Sequence, residues 1–132
     1  MLNRLIPHTI HPPFSNYAHG VDVPAGARLV FCSGQLGIAP DATIPDDAGP
    51  QTELCFANIK AVLAEVGMDF GDIVRINAYV TDRQWLAEYM AVRNRLFPVA
   101  PASTLMIVSG FAREIFKVEI EVVAASLEGA RS

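Results

Sequence analysis

Residues 51–82 read QTELCFANIKAVLAEVGMDFGDIVRINAYVTD, and two hydrophobic periods meet in them. From 51 to 66, Cys55, Ile59, Val62, Leu63 and Val66 recur at steps of three and four, the period of one helix face. Gly67 follows as a natural helix stop. From 72 to 82 the period drops to two. Val74, Ile76, Ala78 and Val80 share one strand face, and Ile73, Arg75, Asn77 and Tyr79 share the other. A one-sided helix leading directly into a half-polar strand predicts a helix layered on a sheet.

Downstream, Thr81 and Gln84 stand at capping-box spacing ahead of a second helix. Its apolar stripe of Trp85, Leu86, Tyr89, Val92, Leu96 and Phe97 reads as core, and Pro98 ends it. Residues 98–110, PVAPASTLMIVSG, then use prolines to fix the direction of the chain as it delivers Ser103 and Thr104 to the start of a strand over 103–109. A last strand covers 116–125, where Val118, Ile120 and Val122 oppose Lys117, Glu119 and Glu121. Upstream, ARLVFCSGQ (27–35) is a strand closing on Gly34, and GIAPDATIPDDAGP (37–50) is a surface loop. The order β, α, β, α, β, β predicts an α+β layer with both helices on one sheet face. No internal repeat or linker interrupts it, so 1–132 is expected to be a single domain.

Hydrophobic residues make up 52% of the chain and charged residues 18%, rich for a small domain with a large surface-to-volume ratio. No apolar run approaches the ~20 residues of a membrane span, and prolines 7, 12 and 13 break the N-terminal stretch as a signal peptide. Surplus apolar surface favours burial against copies of the same chain. The net charge of −4, with arginines scattered among acids, counts against a nucleic-acid surface. Cys32 and Cys55 lie in apolar segments without a CxxC partner and read as free buried thiols; the histidines at 8, 11 and 19 match no zinc spacing. The expectation is a cytoplasmic protein with no metal or cofactor, a small-molecule ligand, and a cleft between subunits lined by Arg75, Asn77, Tyr79, Glu119 and Glu121.

The stretches SNYAHGVDV (15–23), FCSGQLGIAP (31–40), the 51–82 run, PAST (101–104) and KVEIEVVAA (117–125), in this order and spacing, resemble the Rid (reactive intermediate deaminase, YjgF-like) family from about Ser15 to Ala125. The resemblance implies a chorismate-mutase-like fold, a homotrimer with ligand clefts between subunits, and hydrolysis of imines or enamines without metal or cofactor. Some members are known instead for ribonuclease activity or inhibition of translation. It also implies a cleft-lining role for Tyr17, a ligand-approach turn at Ser33, Gly34 and Gln35, structural roles for Gln51 and Asn58, and a match of Pro101–Ala102 to the family's Pro-Ala pair.

Archetypal members carry an arginine directly after Pro-Ala, where a planar fork grips a carboxylate; this chain has Ser103. Met90 and Arg93 likewise replace an asparagine and a tyrosine. Glu119 is the expected catalytic group, activating water or passing a proton, or else a strand glutamate paired across an interface. Tyr17, Ser33, Gly34, Ser103 and Thr104 are the expected ligand-binding residues, although Ser103 and Thr104 also suit a plain strand start. Arg93 reads as an exposed helix arginine, with a cationic role in the site as the alternative. The function expected is a deaminase-type hydrolase of a small C–N substrate different from the archetype's; the alternative is a non-catalytic, metabolite-binding trimer.

Overall fold

The computed structural model describes residues 2–127. Eight elements follow in order: β1 (Asn3–Leu5), β2 (Gly20–Asp22), β3 (Arg28–Leu36), α1 (Ala48–Ala64), β4 (Ile73–Val80), α2 (Leu86–Leu96), β5 (Ala102–Ile107) and β6 (Val118–Ser126). The main sheet has the order β3-β6-β4-β5, with β6 antiparallel to β3 and β4, and β5 parallel to β4. The parallel pair is joined through α2, as a parallel connection requires. The mixed sheet with two helices agrees with the α+β reading.

One core holds the layers together. Cys55, Phe56, Ile59 and Leu63 of α1 and Tyr89 and Val92 of α2 pack on Ile76, Ala78, Val80, Val118, Ile120 and Val122 of the sheet. Val62, expected on this stripe, is exposed, and Val66 sits at the margin. Position 56 takes the place of 62, because the stripe runs through 52, 55, 56, 59 and 63. The α1 helix starts at Ala48, three residues inside the expected loop. Pro50 is harmless in a first turn, where no N–H is required, and Glu88 of α2 accepts from the Gly49 N–H at 2.9 Å, capping α1 from its neighbour.

Ile73 is buried in the core, against the expected alternation, because the β4–β6 register shifts between Ile73 and Arg75. A bulge of this kind turns one extra side chain inward. The second helix is preceded by a short 3-10 turn capped by Asp82, whose side chain accepts from Gln84 N–H, rather than by Thr81. Trp85 is half-buried at the core edge beneath the Lys117 ammonium, 5.3 Å away.

Gln51 and Asn58 are structural, as the resemblance implied. Buried Gln51 donates to Pro45 O and Ile115 O and accepts from Lys117 N–H, each at 2.8 Å, so one amide ties the 37–50 loop to the start of β6. Asn58 donates to Leu36 O at 3.2 Å. Both cysteines are free and buried. No helix among the described residues is long and apolar enough to cross a membrane.

Candidate functional site

The predicted site residues fall into two groups on opposite edges of the sheet. The first lies on the β3–β6 side. β3 loses its regular register with β6 between Cys32 and Gln35, and Ser33 and Gly34 sit in that irregularity. Ser33 is exposed. Gly34 lies directly against Glu119: a Cβ added there would stand 2.8 Å from its Cδ and 3.0 Å from its Cγ. Glu119 is on the sheet face away from the helices, beside Tyr79 in register. Partial burial, and then the charge of Glu121 on the same strand face, raise the Glu119 carboxyl above its ordinary value of 4.5. Glu121 is itself fixed, accepting from Tyr79 Oη at 2.6 Å.

The second group gathers where the N-terminal arm meets β5. Ala18 donates to Pro101 O at 3.1 Å and bridges Ala102, which seats Tyr17 beside the start of the strand. Tyr17 Oη accepts from Phe14 N–H at 3.3 Å. Ser103 and Thr104 part company. Thr104 Oγ1 accepts from Arg75 Nη2 at 2.7 Å on the open face, where Arg75 Nε also donates to Asn77 at 2.9 Å. Leu105 packs on the core, so alternation puts Ser103 on the helix side. Strands spaced about 4.8 Å apart put β5 roughly 14 Å from β3. Glu119, on β6, is two strands or about 10 Å from β5 and on the opposite face from Ser103, and the Tyr17 arm lies beyond the outer edge of β5, so Tyr17 and Ser103 do not meet Ser33, Gly34 and Glu119 within one chain.

Arg93, expected at the surface, is buried at 2% exposure. It donates from Nη2 to Asn16 O at 2.5 Å, and Asn16 in turn donates to Phe97 O at 3.0 Å. The sequence did carry a signal for this: 89, 93 and 97 step by four along one face, and Tyr89 and Phe97 are core. Neither thiol suits nucleophilic work. Burial, helped by the Glu119 charge, pushes Cys55 up to about 12, and burial also raises Cys32. Among the described residues no three His, Cys, Asp or Glu side chains stand together as metal ligands. A separate cavity of about 400 Å³ lies under the arm, between Arg4, Asp72 and Ser126, and holds none of the predicted site residues.

The family described as Endoribonuclease L-PSP matches residues 9–126. The chain belongs to the Rid/YjgF-like family. Among its relatives, Protein DfrA of Myxococcus xanthus is 34% identical over 112 residues, covering 83% of this chain and 85% of that one. The 2-iminobutanoate/2-iminopropanoate deaminase of Escherichia coli K12 is 28% identical over 113 residues, covering 82% and 85%. Among solved structures, the Rid-family protein YyfB of Yersinia pestis superposes with a TM-score of 0.83 at 26% identity, covering 95% of this chain and 98% of that one. The Rid fold thus extends over both site groups, from the Tyr17 arm to the Glu119 strand.

Proposed function

We propose that this Rid-family chain is a cofactor-independent hydrolase of the deaminase type, acting on a small imine, enamine or related C–N substrate in clefts between the subunits of a homotrimer. It is a single domain over 1–132, of chorismate-mutase-like architecture, working in the cytoplasm. The observation that carries the reading is the division of the candidate residues into two half-sites on opposite edges of one sheet. A second copy packed against the open face and the β5 edge would bring Ser33, Gly34 and Glu119 of one chain to Tyr17 and Thr104 of the next, with Ser103 just around that edge on the helix side. That face also carries apolar groups that suit an interface, with Phe31 75% and Met106 52% exposed.

The chemistry follows from the groups present. An imine carbon is attacked by water; Glu119 takes the water proton as the new C–O bond forms, and the imine nitrogen takes up a proton. The resulting carbinolamine expels ammonia when Glu119 returns a proton to nitrogen and the hydroxyl loses its own, leaving a carbonyl product. A carboxyl with raised proton affinity suits both directions of transfer. The Escherichia coli relative named as a 2-iminobutanoate/2-iminopropanoate deaminase supports the reaction class. Ser103 departs from the archetype and supports a different substrate, because one hydroxyl replaces a charged fork. The same departure favours, as a second reading, a trimer that binds a metabolite without converting it.

The test is complementation. Tyr17→Ala and Glu119→Gln are each expected to lower imine hydrolysis by 10²-fold or more, in an assay that generates imines in situ and follows the carbonyl product. Randomly mixed trimers of the two inactive chains restore a complete cleft at about one quarter of the interfaces, if each cleft draws on two neighbours. No recovery, with mixed trimers verified by native mass spectrometry, would refute the shared site. Absence of hydrolysis in the wild type with retained ligand binding would leave the non-catalytic reading.

A further inference from the structure

Helix α2 carries two buried polar groups that the proposed chemistry does not use. Tyr89 and Arg93 lie one turn apart on the same face, 1% and 2% exposed. Tyr89 Oη and Arg93 Nε are buried and have no hydrogen-bond partner. The rest of the guanidinium is in part committed, with Nη2 donating to Asn16 O at 2.5 Å and to Asn94 Oδ1 at 3.1 Å. These partners are neutral. The ion pairs among the described residues, Lys60–Asp69 and Arg95–Glu53, are both elsewhere and solvent-exposed.

A guanidinium cannot relieve its burial by losing a proton. It needs an acceptor for Nε and a negative charge, and the described residues offer it neither. Helix residues four apart hold their Cβ atoms about 5–6 Å from each other, so one small acceptor group can reach both the phenol and the guanidinium. A carboxylate does both tasks at once, with two oxygens and a full charge. The location is informative. Arg93 holds Asn16, the residue immediately before Tyr17, and the Tyr17 phenol is close enough to act on Arg93 electrostatically. The buried cation thus lies behind the arm that forms one wall of the proposed cleft.

We infer that Arg93, assisted by Tyr89, is the receptor for a ligand carboxylate in the Tyr17 half-site, supplying from helix α2 the cation that position 103 of strand β5 does not carry. This rests on the shared-cleft reading above and narrows its ligand to small carboxylates held from the helix layer. Arg93 becomes the residue that sets ligand specificity, and Ser103 is left as a neutral neighbour.

The test sets propanoate and 2-oxobutanoate against their uncharged amides, propanamide and 2-oxobutanamide, on the full-length protein by calorimetric titration. The wild type is expected to bind the carboxylates and discriminate against the amides. Arg93→Met, verified as folded and of wild-type mass in solution, should lose about tenfold to a hundredfold in carboxylate affinity with little change for the amides. Arg93→Lys should keep part of the preference, and Tyr89→Phe should weaken carboxylates by a few fold. If Arg93→Met does not fold, the ¹H–¹⁵N signal of Arg93 Nε in the wild type decides: it should shift on adding 2-oxobutanoate and not on adding its amide.

Equal binding of carboxylates and amides by the wild type overturns the inference while leaving the shared cleft standing. So does full carboxylate affinity in folded Arg93→Met, or an Nε signal indifferent to the carboxylate, which would mean that a water satisfies it. An Nε signal that shifts on Glu119→Gln in ligand-free protein would assign the counter-charge to Glu119 of a neighbouring copy, and also overturns it. Binding of neither class by the wild type overturns the inference as well, and if the complementation also fails, the functional reading falls together with it.

Discussion

The contact between Gly34 and Glu119 can be measured by placing one methyl group. In Gly34→Ala the new Cβ would meet Glu119 Cδ at 2.8 Å and Cγ at 3.0 Å, and would overlap Oε2. The backbone at Gly34 is not in the left-handed region, which Gly26 and Gly67 do occupy, so alanine is not strained there by its own dihedrals. What must yield is the glutamate side chain. An off-rotamer displacement costs about 0.5–1.5 kcal/mol, while replacing glycine stiffens the unfolded chain and returns about 0.4–1 kcal/mol. Gly34→Ala alone should therefore change stability by no more than about 1 kcal/mol in either direction. In a Glu119→Ala background the clash is gone, and the same substitution should stabilise by about 0.4–1 kcal/mol. Urea unfolding of the four proteins at one protein concentration gives the coupling, expected at about 1 kcal/mol. Activity should fall much further than stability, by about 10²-fold, because a carboxylate displaced by an ångström no longer meets its water. Gly34→Ala destabilising by more than about 2 kcal/mol in both backgrounds would show that the backbone, not Glu119, occupies that space.

Gly37→Ala should behave differently. Its Cβ would lie 2.7 Å from the Gln51 Cα, which is helix backbone and cannot swing aside, so a loss of about 1–3 kcal/mol is expected in urea unfolding; a neutral result would contradict the packing of the loop on α1. Glu119 holds its proton more tightly in the folded chain than the ordinary 4.5, so its contribution is intact below that pH and is lost as the pH rises through the folded value. Glu119→Gln should accordingly raise Tm at neutral pH and flatten the decline of stability above pH 4.5, and a lower Tm at pH 7 would refute the burial and Glu121 repulsion assigned to it. RNA affinity should be weak and abolished by moderate salt, because a chain of net charge −4 makes few phosphate contacts; tight binding at physiological ionic strength would instead favour a ribonuclease reading.

The α1–β4 run was legible in sequence because both periods are long and regular. What the sequence concealed lies where one element answers to another. Ile73 turns inward through a register shift that depends on β6, and Val62 faces water because the buried stripe of α1 runs through 52, 55, 56, 59 and 63 and leaves 62 off it. The Asp82 cap displaced Thr81 by one residue, within the ordinary blur of helix starts. The arm strands β1 and β2 are three residues each and pair only with one another, too short to leave a period. For the site, the resemblance supplied the residues but not their grouping. Sheet order and strand face together separate Glu119 from Ser103, and strand face alone separates Ser103 from Thr104. Arg93 went unread because arginine is normally a surface residue, although its spacing of four from Tyr89 placed it on the buried stripe.

The clasp that holds the arm joins parts of the chain made far apart in time and sequence. Asn16 reaches Phe97 across 81 residues, Arg93 reaches back to Asn16 across 77, and Arg4 donates to Ala100 across 96. Such contacts need the sheet and α2 already in place, so the arm is expected to dock last and to lift first, an order that amide exchange across residues 14–22 would report. The arm is fastened by these hydrogen bonds together with buried Ala18 and the Tyr17 ring packed at the core margin, so its opening disturbs little of the hydrophobic layers. Each lifting exposes Tyr17 and the Arg93 charge to water together. A ligand that binds both would then tether the arm from the inside, so that occupancy slows amide exchange across residues 14–22. The segment would serve as wall and as door, its opening rate setting how quickly the cleft can trade one small molecule for the next.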